Sequence, residues 1–318
     1  MKTTVVYILT SDVSDHFLEQ TMLSACSLRY YNPNATIVVV TDHITYATLS
    51  GQRGGLNVIV NEVVSVKVPD DLTKTQRSRY LKTNLRSIID GDFLFIDSDT
   101  IICDSLGELD SLNCDLGAVA DTNGDLALHN STIISRCLAA GFDSLEGEPY
   151  FNSGVLYVKD SIVSRRLYEL WFSNWKKSYN NGIQFDQPAL CYANSVIGHP
   201  IVELSGKWNC QFKMGCYPFV KNALILHYFS NNGESQIAPQ CQMLLSRIKA
   251  LGEIDSLVMK LIKNPRTLFY SFLDMNEDKA FMYLTSDLLY LYYKSPKLFK
   301  LSERLGSVIS RVKAFFIR

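Results

Sequence analysis

Residues 92–100 have the sequence DFLFIDSDT, in which four apolar residues run directly into two acids that are one residue apart. The short, aromatic-rich apolar run predicts a buried strand. Residues i and i+2 of an extended chain point the same way, so Asp97 and Asp99 should face one spot at the strand's carboxyl end. Two such carboxylates are costly unless a cation or a shared proton relieves them. Ligands of open α/β sheets bind at this end of the strands, and we expect the pair to hold a divalent metal that in turn holds a phosphate.

A D-x-D pattern is too short to identify a site by itself. A second one occupies residues 90–92, in a predicted turn between a helix and the strand, where Asp and Gly are favoured for reasons of backbone conformation. Only the position of Asp97 and Asp99 after a buried strand separates them from such chance occurrences.

The bulk composition is that of an ordered globular protein, with 318 residues of which 47% are hydrophobic and 20% charged. The net charge of −1 implies no general attraction to nucleic acid. Eight cysteines without a C-x-x-C spacing argue against a zinc site or a disulfide framework and favour a reducing compartment. The first residues lack the features of a signal peptide, and no window approaches the roughly 18 apolar residues of a membrane span. A cytoplasmic protein is therefore the expectation.

Strand and helix patterns alternate from the N-terminus. Strands over residues 4–9 and 35–40 flank a helix over 15–30, which predicts a βαβ unit with a parallel pair. A helix over 73–89 precedes the acidic strand. Four basic residues lie on its polar side: Arg77, Arg79, Lys82 and Arg86. The simplest interpretation is that this side is exposed to solvent, although one of the four could reach a diphosphate.

Polar residues also follow or open other predicted elements. Residues 152–154 (Asn-Ser-Gly) open a strand over 150–158, which fits either a bulge or a sugar-binding rim. Asp186 precedes a helix that has proline in its first turn, so its side chain fits a helix cap as well as a site. His227 follows an apolar strand, where a packed histidine is commoner than a ligand.

The C-terminal part of the chain differs in character. Strand signals end at about residue 239, and the segment to the end is predicted to be helical. Residues 294–318 hold seven Lys or Arg against one Glu, interleaved with apolar residues. A basic amphipathic end is typical of attachment to an anionic membrane surface. Packing on the main domain, or on a second copy in a homodimer, explains it equally well.

Taken in order, these motifs resemble the retaining nucleotide-sugar glycosyltransferases of family 8, which have the GT-A fold. Residues 94–101 (LFIDSDTI) are similar to the family's D-x-D segment, residues 150–158 (YFNSGVLYV) to its F-N-[AS]-G-V segment, and residues 185–190 (FDQPAL) to its D-Q segment. The resemblance covers residues 1 to about 230. It implies an α/β fold, with a GT-A nucleotide-binding sheet flanked by helices over residues 1–238 and a helical C-terminal appendage over 239–318.

The resemblance also implies roles for individual residues. A metal, Mn²⁺ or Mg²⁺, would be bound by Asp97, Asp99 and His227. The residues that would contact the nucleotide-sugar donor are Thr10, Ser11, Asp12, Arg79, Asp97, Ser98 and Asp99. Those at the reaction centre would be Asn152, Asp186 and Gln187. The implied donor is a UDP-sugar, and the implied acceptor is a glycan or lipid-linked precursor of a cell-surface polysaccharide or lipopolysaccharide.

The chain departs from the family's pattern after His227. The family continues through a Gly to Lys-Pro-Trp, whereas residues 227–233 are HYFSNNG here. The basic partner of the phosphate is therefore left open among Lys207, Lys213 and Arg79.

Two other functions are compatible with parts of the pattern. A phosphatase of the haloacid-dehalogenase type would use Asp97 as its nucleophile. Such enzymes usually begin with the acidic strand, whereas here a βαβ unit precedes it. A non-catalytic carbohydrate-binding protein is the second alternative, and the complete set of polar candidates argues against it.

Overall fold

The computed structural model describes residues 1–212, 216, 218–229, 239–266, 295, 297–302 and 304–305. The strands in this part of the chain are β1 (Thr4–Leu9), β2 (Ile37–Asp42), β3 (Glu62–Val66), β4 (Phe93–Ile96), β5 (Thr100–Ile102), β6 (Leu116–Ala120), β7 (Phe151–Val158), β8 (Ile201–Glu203), β9 (Cys210–Gln211) and β10 (Ile225–His227). The α-helices are α1 (Phe17–Tyr31), α2 (His43–Tyr46), α3 (Lys74–Thr83), α4 (Ser131–Ala139), α5 (Ile162–Asn180), α6 (Gln187–Val196), α7 (Pro239–Leu251) and α8 (Ser256–Lys263). The predicted α/β class is confirmed.

Seven strands form the main sheet in the order β3-β2-β1-β4-β7-β6-β8. The first four are parallel, as the βαβ pattern predicts. Strand β7 instead runs antiparallel to β4 and to β6. Because Ile96 at the end of β4 pairs with Val155 in β7, the opening residues of β7 lie at the carboxyl edge of the parallel strands.

A smaller sheet in the order β5-β10-β9 lies beside this edge. Its strand β5 begins just after the acidic pair, and Thr100 of β5 pairs with His227 of β10 in antiparallel register. The small sheet therefore brings the end of β10 back to the acidic segment, although Thr100 and His227 are 127 positions apart in the sequence.

Apolar side chains cover both faces of the main sheet. Along β1, Val5, Tyr7 and Leu9 enter one core layer, which they share with residues of α1, α7 and α8. Val6 and Ile8 enter the other layer, with residues of α3, α5 and α6. This alternation follows from the two-residue period of a strand. The sheet is thus a buried platform, and its carboxyl edge is where polar groups gather.

The C-terminal region is described only in part. Helices α7 and α8 match the predicted helical character, and Leu245, Ile248 and Ile262 bury their side chains fully in the core layer around α1. The division of the chain at residues 238 and 239 stays a prediction. Most of the basic stretch 294–318 lies outside the described residues. Of its described part, residues 297–302 are helical. Among the residues that the structure describes, no helix has both the length and the apolar character needed to cross a membrane.

Candidate active site

The acidic pair occupies the short connection between β4 and β5. One ligand atom each from Asp97, Asp99 and His227 lies within 4.8 Å of the others. His227 Nε2 is 3.2 Å from Asp99 Oδ1. Burial opposes a charge on His227, but Asp99 outweighs it and raises the pKa of the imidazole. Two carboxylates and one imidazole form a hard donor set, which suits Mn²⁺ or Mg²⁺.

Gly154 makes the close approach of these groups possible. Its carbonyl oxygen accepts a hydrogen bond from the Asp97 amide at 2.7 Å. A Cβ at this position would lie 2.5 Å from His227 Cε1 and 2.8 Å from Asp97 Oδ2. The glycine of the Asn-Ser-Gly segment is therefore required by space at the ligand cluster, and the residues present fit a bound divalent ion.

The basic face predicted over residues 73–89 is not a solvated face, so that interpretation is wrong for most of its members, which lie on α3 and on the 3₁₀ turn after it. Arg77 Nε lies 3.3 Å from the buried carboxylate of Asp42. The side chains of Lys82 and Arg86 are 3% and 2% exposed. These cations are held inside the protein because acidic or carbonyl partners surround them.

Lys82 lies at the centre of the site. Its Nζ is 3.2 Å from Asp97 Oδ1, 3.1 Å from Ser153 Oγ and 3.5 Å from Asp186 Oδ2. The same ammonium lies 4.9 Å from the centre of the Phe95 ring. Sequence reasoning noted Lys82 only as part of the basic face. A signal was available, because Lys82 follows Arg79 by three residues and so shares its side of the helix.

Asp186 is paired with cations and does not cap a helix. It precedes α6, but its side chain makes no capping hydrogen bond. Arg79 Nε lies 3.0 Å from its Oδ1, and Ser153 Oγ donates to its Oδ2 at 2.8 Å. Burial alone would raise the pKa of Asp186, but Lys82 and Arg79 outweigh it and lower the pKa to about 2. Asp186 is therefore a buried, ionised group.

The two predicted amides are brought together by a residue outside the predicted site. Asp121, at the end of β6, accepts hydrogen bonds from Asn152 Nδ2 at 3.0 Å and from Gln187 Nε2 at 3.3 Å. Asp121 orients both side chains because its carboxylate can only accept. The available signal was its position as the first polar residue after an apolar strand.

A cleft of about 240 Å³ opens at the acidic pair. Its lining includes the predicted donor-binding residues Thr10, Arg79, Asp97, Ser98 and Asp99, together with Lys82. Ser11 and Asp12 lie beside it and are held by other side chains. Ser11 Oγ donates to Asp15 Oδ1 at 2.7 Å, and Lys74 Nζ lies 2.8 Å from Asp12 Oδ2.

The three candidates for the phosphate partner have different positions. Arg79 lines the cleft. Lys207 Nζ lies 2.6 Å from Glu108 Oε2 and is not in the described lining. Lys213 lies outside the described residues. Of the described candidates, Arg79 is therefore the one that lines the cleft, together with the cations Lys74 and Lys82.

A mainly parallel sheet with a D-x-D at its carboxyl edge, a pair of amides at the starts of an antiparallel strand and a later helix, and a small second sheet that returns a histidine are features of the GT-A class of transferases. The family model Glycosyl transferase family 8 matches residues 9–235. The chain therefore belongs to family 8 of the glycosyltransferases and is a glycosyltransferase. The haloacid-dehalogenase alternative loses its support.

Solved structures of similar fold are glycosyltransferases. The galactosyltransferase LgtC, solved with donor and acceptor sugar analogues, is 16% identical, with 81% of this chain and 99% of that chain covered and a TM-score of 0.53. The bifunctional glycosyltransferase WbbM is 15% identical, with 82% and 51% covered and a TM-score of 0.53. GlyE of Streptococcus pneumoniae TIGR4 is 17% identical, with 83% and 63% covered and a TM-score of 0.51. At these identities the likeness shows the GT-A fold alone. No curated protein matches the chain.

Proposed function

We propose that this glycosyltransferase moves a hexose from a UDP-sugar to a glycan or lipid-linked acceptor, with a divalent metal held by Asp97, Asp99 and His227. The observation that carries the proposal is the cluster of these three ligands, of which Asp97 and Asp99 line a cleft that Arg79 and Lys82 also line. A diphosphate needs such a concentration of positive charge when it departs.

The chain's own cations share that task. A bound Mn²⁺ or Mg²⁺ would act as a Lewis acid on the leaving diphosphate. Lys82 and Arg79 are fixed before substrate arrives, so they stabilise developing negative charge without reorganising. We assign them the role of basic phosphate partner that the missing Lys-Pro-Trp segment leaves vacant.

The two amides and Asp186 would receive the donor sugar. Asn152 and Gln187 have their amides oriented by Asp121, and Asp186 is ionised beside them. These groups would supply hydrogen bonds and negative potential to the positive charge that develops on the sugar. Retention of configuration at the transferred sugar is part of the proposal and rests on family membership.

A titration of Mn²⁺ and UDP tests the proposal. The wild-type chain should bind UDP and hydrolyse a UDP-hexose slowly in a Mn²⁺-dependent way, and EDTA should abolish both. Asp99→Asn should lose Mn²⁺-dependent UDP binding. Asp90→Asn removes an acid from the other D-x-D, at residues 90–92, and should behave as wild type. Unchanged UDP binding by Asp99→Asn would remove the acidic pair from the mechanism.

We further propose that residues 294–318 attach to an anionic membrane surface, where lipid-linked acceptors lie. In the described part, Leu298, Leu301 and Leu305 are each more than half exposed. The cations Lys297, Lys300 and Arg304 alternate with them. Apolar side chains flanked by cations match the interface of an anionic bilayer.

A further inference from the structure

A buried chain of hydrogen bonds connects the main chain of β7 to His227. The side chains in it are almost wholly inaccessible: Asn152 is 3%, Asn209 0% and His227 2% exposed. Asn152 Oδ1 accepts from the Gly154 amide and from Asn209 Nδ2, both at 2.9 Å. Asn209 Oδ1 in turn lies 3.0 Å from His227 Nδ1.

The direction of every bond in this chain is determined by its fixed end. A main-chain N–H can only donate, and a carboxylate can only accept. The end of the Asn152 side chain that contacts the Gly154 N–H must therefore be its oxygen, Oδ1, and the end that contacts Asp121 must be its nitrogen, Nδ2. Asn209 must then turn its NH₂ group toward Asn152 and its carbonyl oxygen toward His227. A carbonyl oxygen accepts, so His227 Nδ1 carries a hydrogen and Nε2 is the nitrogen that faces Asp99.

Asn209 is itself held in place by a strained turn after β6. Asn123 Nδ2 donates to the main-chain carbonyl oxygen of Asn209 at 2.8 Å, and the main-chain N–H of Gln211 donates to Asn123 Oδ1 at 2.7 Å. Thr122 and Asn123 both have positive φ, of 59° and 52°. A β-branched residue at positive φ is costly and persists only where its surroundings impose it.

We propose that Asn209 is a positioning residue that presents His227 Nε2 to the metal and holds Asn152 at the donor sugar. The inference rests on the proposed function. Metal-binding histidines usually donate their other ring N–H to an oxygen, which fixes the tautomer and the ring orientation. Here the side chain of Asn209 accepts that hydrogen bond through Oδ1, and its Nδ2 donates to Asn152, the proposed contact of the donor sugar. Asn209 thereby couples the metal ligand to the sugar rim.

Two substitutions separate the two ends of Asn209. Asn209→Ala removes both bonds and should weaken Mn²⁺ binding about 10- to 100-fold, as loss of such outer partners does. Asn209→Asp keeps an acceptor for His227 Nδ1, so Mn²⁺ affinity should stay near wild type. The same substitution replaces the NH₂ group that donates to Asn152 Oδ1 with a carboxylate oxygen, so two acceptors would face each other and displace Asn152. The kcat for UDP-hexose hydrolysis should therefore fall. Calorimetry with Mn²⁺ alone measures the first effect, and steady-state kinetics at saturating Mn²⁺ measures the second.

Gln211→Ala is the matched control. Gln211 is also fully buried in β9, and its side chain bonds the Ala120 carbonyl and the Thr122 amide but neither His227 nor Asn152. Gln211→Ala should lower the melting temperature while leaving Mn²⁺ affinity within about threefold, since its side chain makes no hydrogen bond to a metal ligand and its main chain, which pairs with His227, is unchanged. Mn²⁺ binding by Asn209→Ala equal to that of wild type would overturn the inference alone. Failure of the wild-type chain to bind Mn²⁺ would overturn both the inference and the metal site.

Discussion

Lys82 is a buried ammonium between two carboxylates that come from different parts of the chain. Lys82→Met would leave Asp97 and the buried Asp186 short of a counter-charge. We expect a loss of about 3 kcal/mol in the free energy of unfolding, as for other broken buried pairs. Donor hydrolysis should fall about 100-fold because a preorganised charge is lost. Urea denaturation and steady-state kinetics measure the two effects.

Lys207→Met is the control for Lys82→Met, because Lys207 pairs with Glu108, whose side chain is 68% exposed. It should change the free energy of unfolding by less than about 1 kcal/mol, as surface pairs do, and leave hydrolysis unchanged. Equal losses in the two variants would contradict the special role of Lys82.

Asp186 should make the stability depend on pH in a defined window. Its pKa is lowered from 3.8 to about 2, so its charge stabilises the fold above pH 4 and this contribution is lost as the pH falls toward 2. The shift corresponds to about 2 kcal/mol. The difference in unfolding free energy between wild type and Asp186→Asn should be constant above pH 5 and diminish below pH 4. A difference that is unchanged at pH 2.5 would contradict this assignment.

The residues predicted from the sequence are those whose signals are local. Asp97 and Asp99 share a side of an extended segment, and their strand is visible as an apolar run. Asp121 and Asn209 escaped prediction because their partners, Asn152 and His227, come from β7 and β10. Contacts of that kind depend on how strands pair, which a single sequence does not encode in any short pattern.

At the level of elements, α3 is positioned by its first turn. Thr73 and Gln76 form a capping box, in which Thr73 Oγ1 accepts from the Gln76 amide at 3.4 Å and the Gln76 side chain accepts from the Thr73 amide. Thr73→Ala should lower the free energy of unfolding by about 1 kcal/mol. Donor affinity should fall with it, because α3 carries Arg79 and Lys82.

Ser50→Ala provides the comparison for Thr73→Ala. Ser50 precedes a 3₁₀ helix over Gly51–Val58 but makes no side-chain capping bond. Its replacement should alter the free energy of unfolding by less than about 0.5 kcal/mol. Thermal melting with and without UDP distinguishes the two. A loss of the same size in both variants would mean that the cap does not hold α3.

Element types were predicted well and their ends less well. The helix expected over residues 73–89 ends as α3 at Thr83, and a 3₁₀ turn over Leu85–Ser87 follows. Asn84, with φ −105° and ψ 8°, interrupts the helix. Leu85 and Ile88 are three residues apart, a spacing that suits both an α-helix and a 3₁₀ helix, so periodicity could not separate the two forms. The antiparallel direction of β7 was likewise invisible, since an apolar run carries no sign of its direction.

At the scale of the whole molecule, the proposed membrane attachment of residues 294–318 can be tested independently of the active site. Deletion of residues 294–318 should release the protein from vesicles containing phosphatidylserine while UDP-hexose hydrolysis is retained. Sedimentation with anionic and neutral vesicles measures this, and binding of the full chain should weaken as salt is raised. Unchanged vesicle binding after deletion would refute membrane attachment. A change from dimer to monomer instead would favour the packing of two copies.

The antiparallel direction of β7 also affects where the acceptor preference of such an enzyme can change. Ala120 at the end of β6 pairs with Phe151 at the start of β7, so the residues between them leave and re-enter the fold at one point. Exposed positions of this segment, such as Glu146, can accept insertions without disturbing the strand order, whereas Leu128, Cys137 and Phe142 are buried in the core layer and must stay apolar. The first residues of the segment must be kept, because Asp121 orients the amide rim and Asn123 holds Asn209, the partner of the metal ligand His227. We expect new acceptor preferences to arise in the rest of the segment, and a chimaera that carries a relative's residues at 124–149 should change its acceptor while keeping its donor.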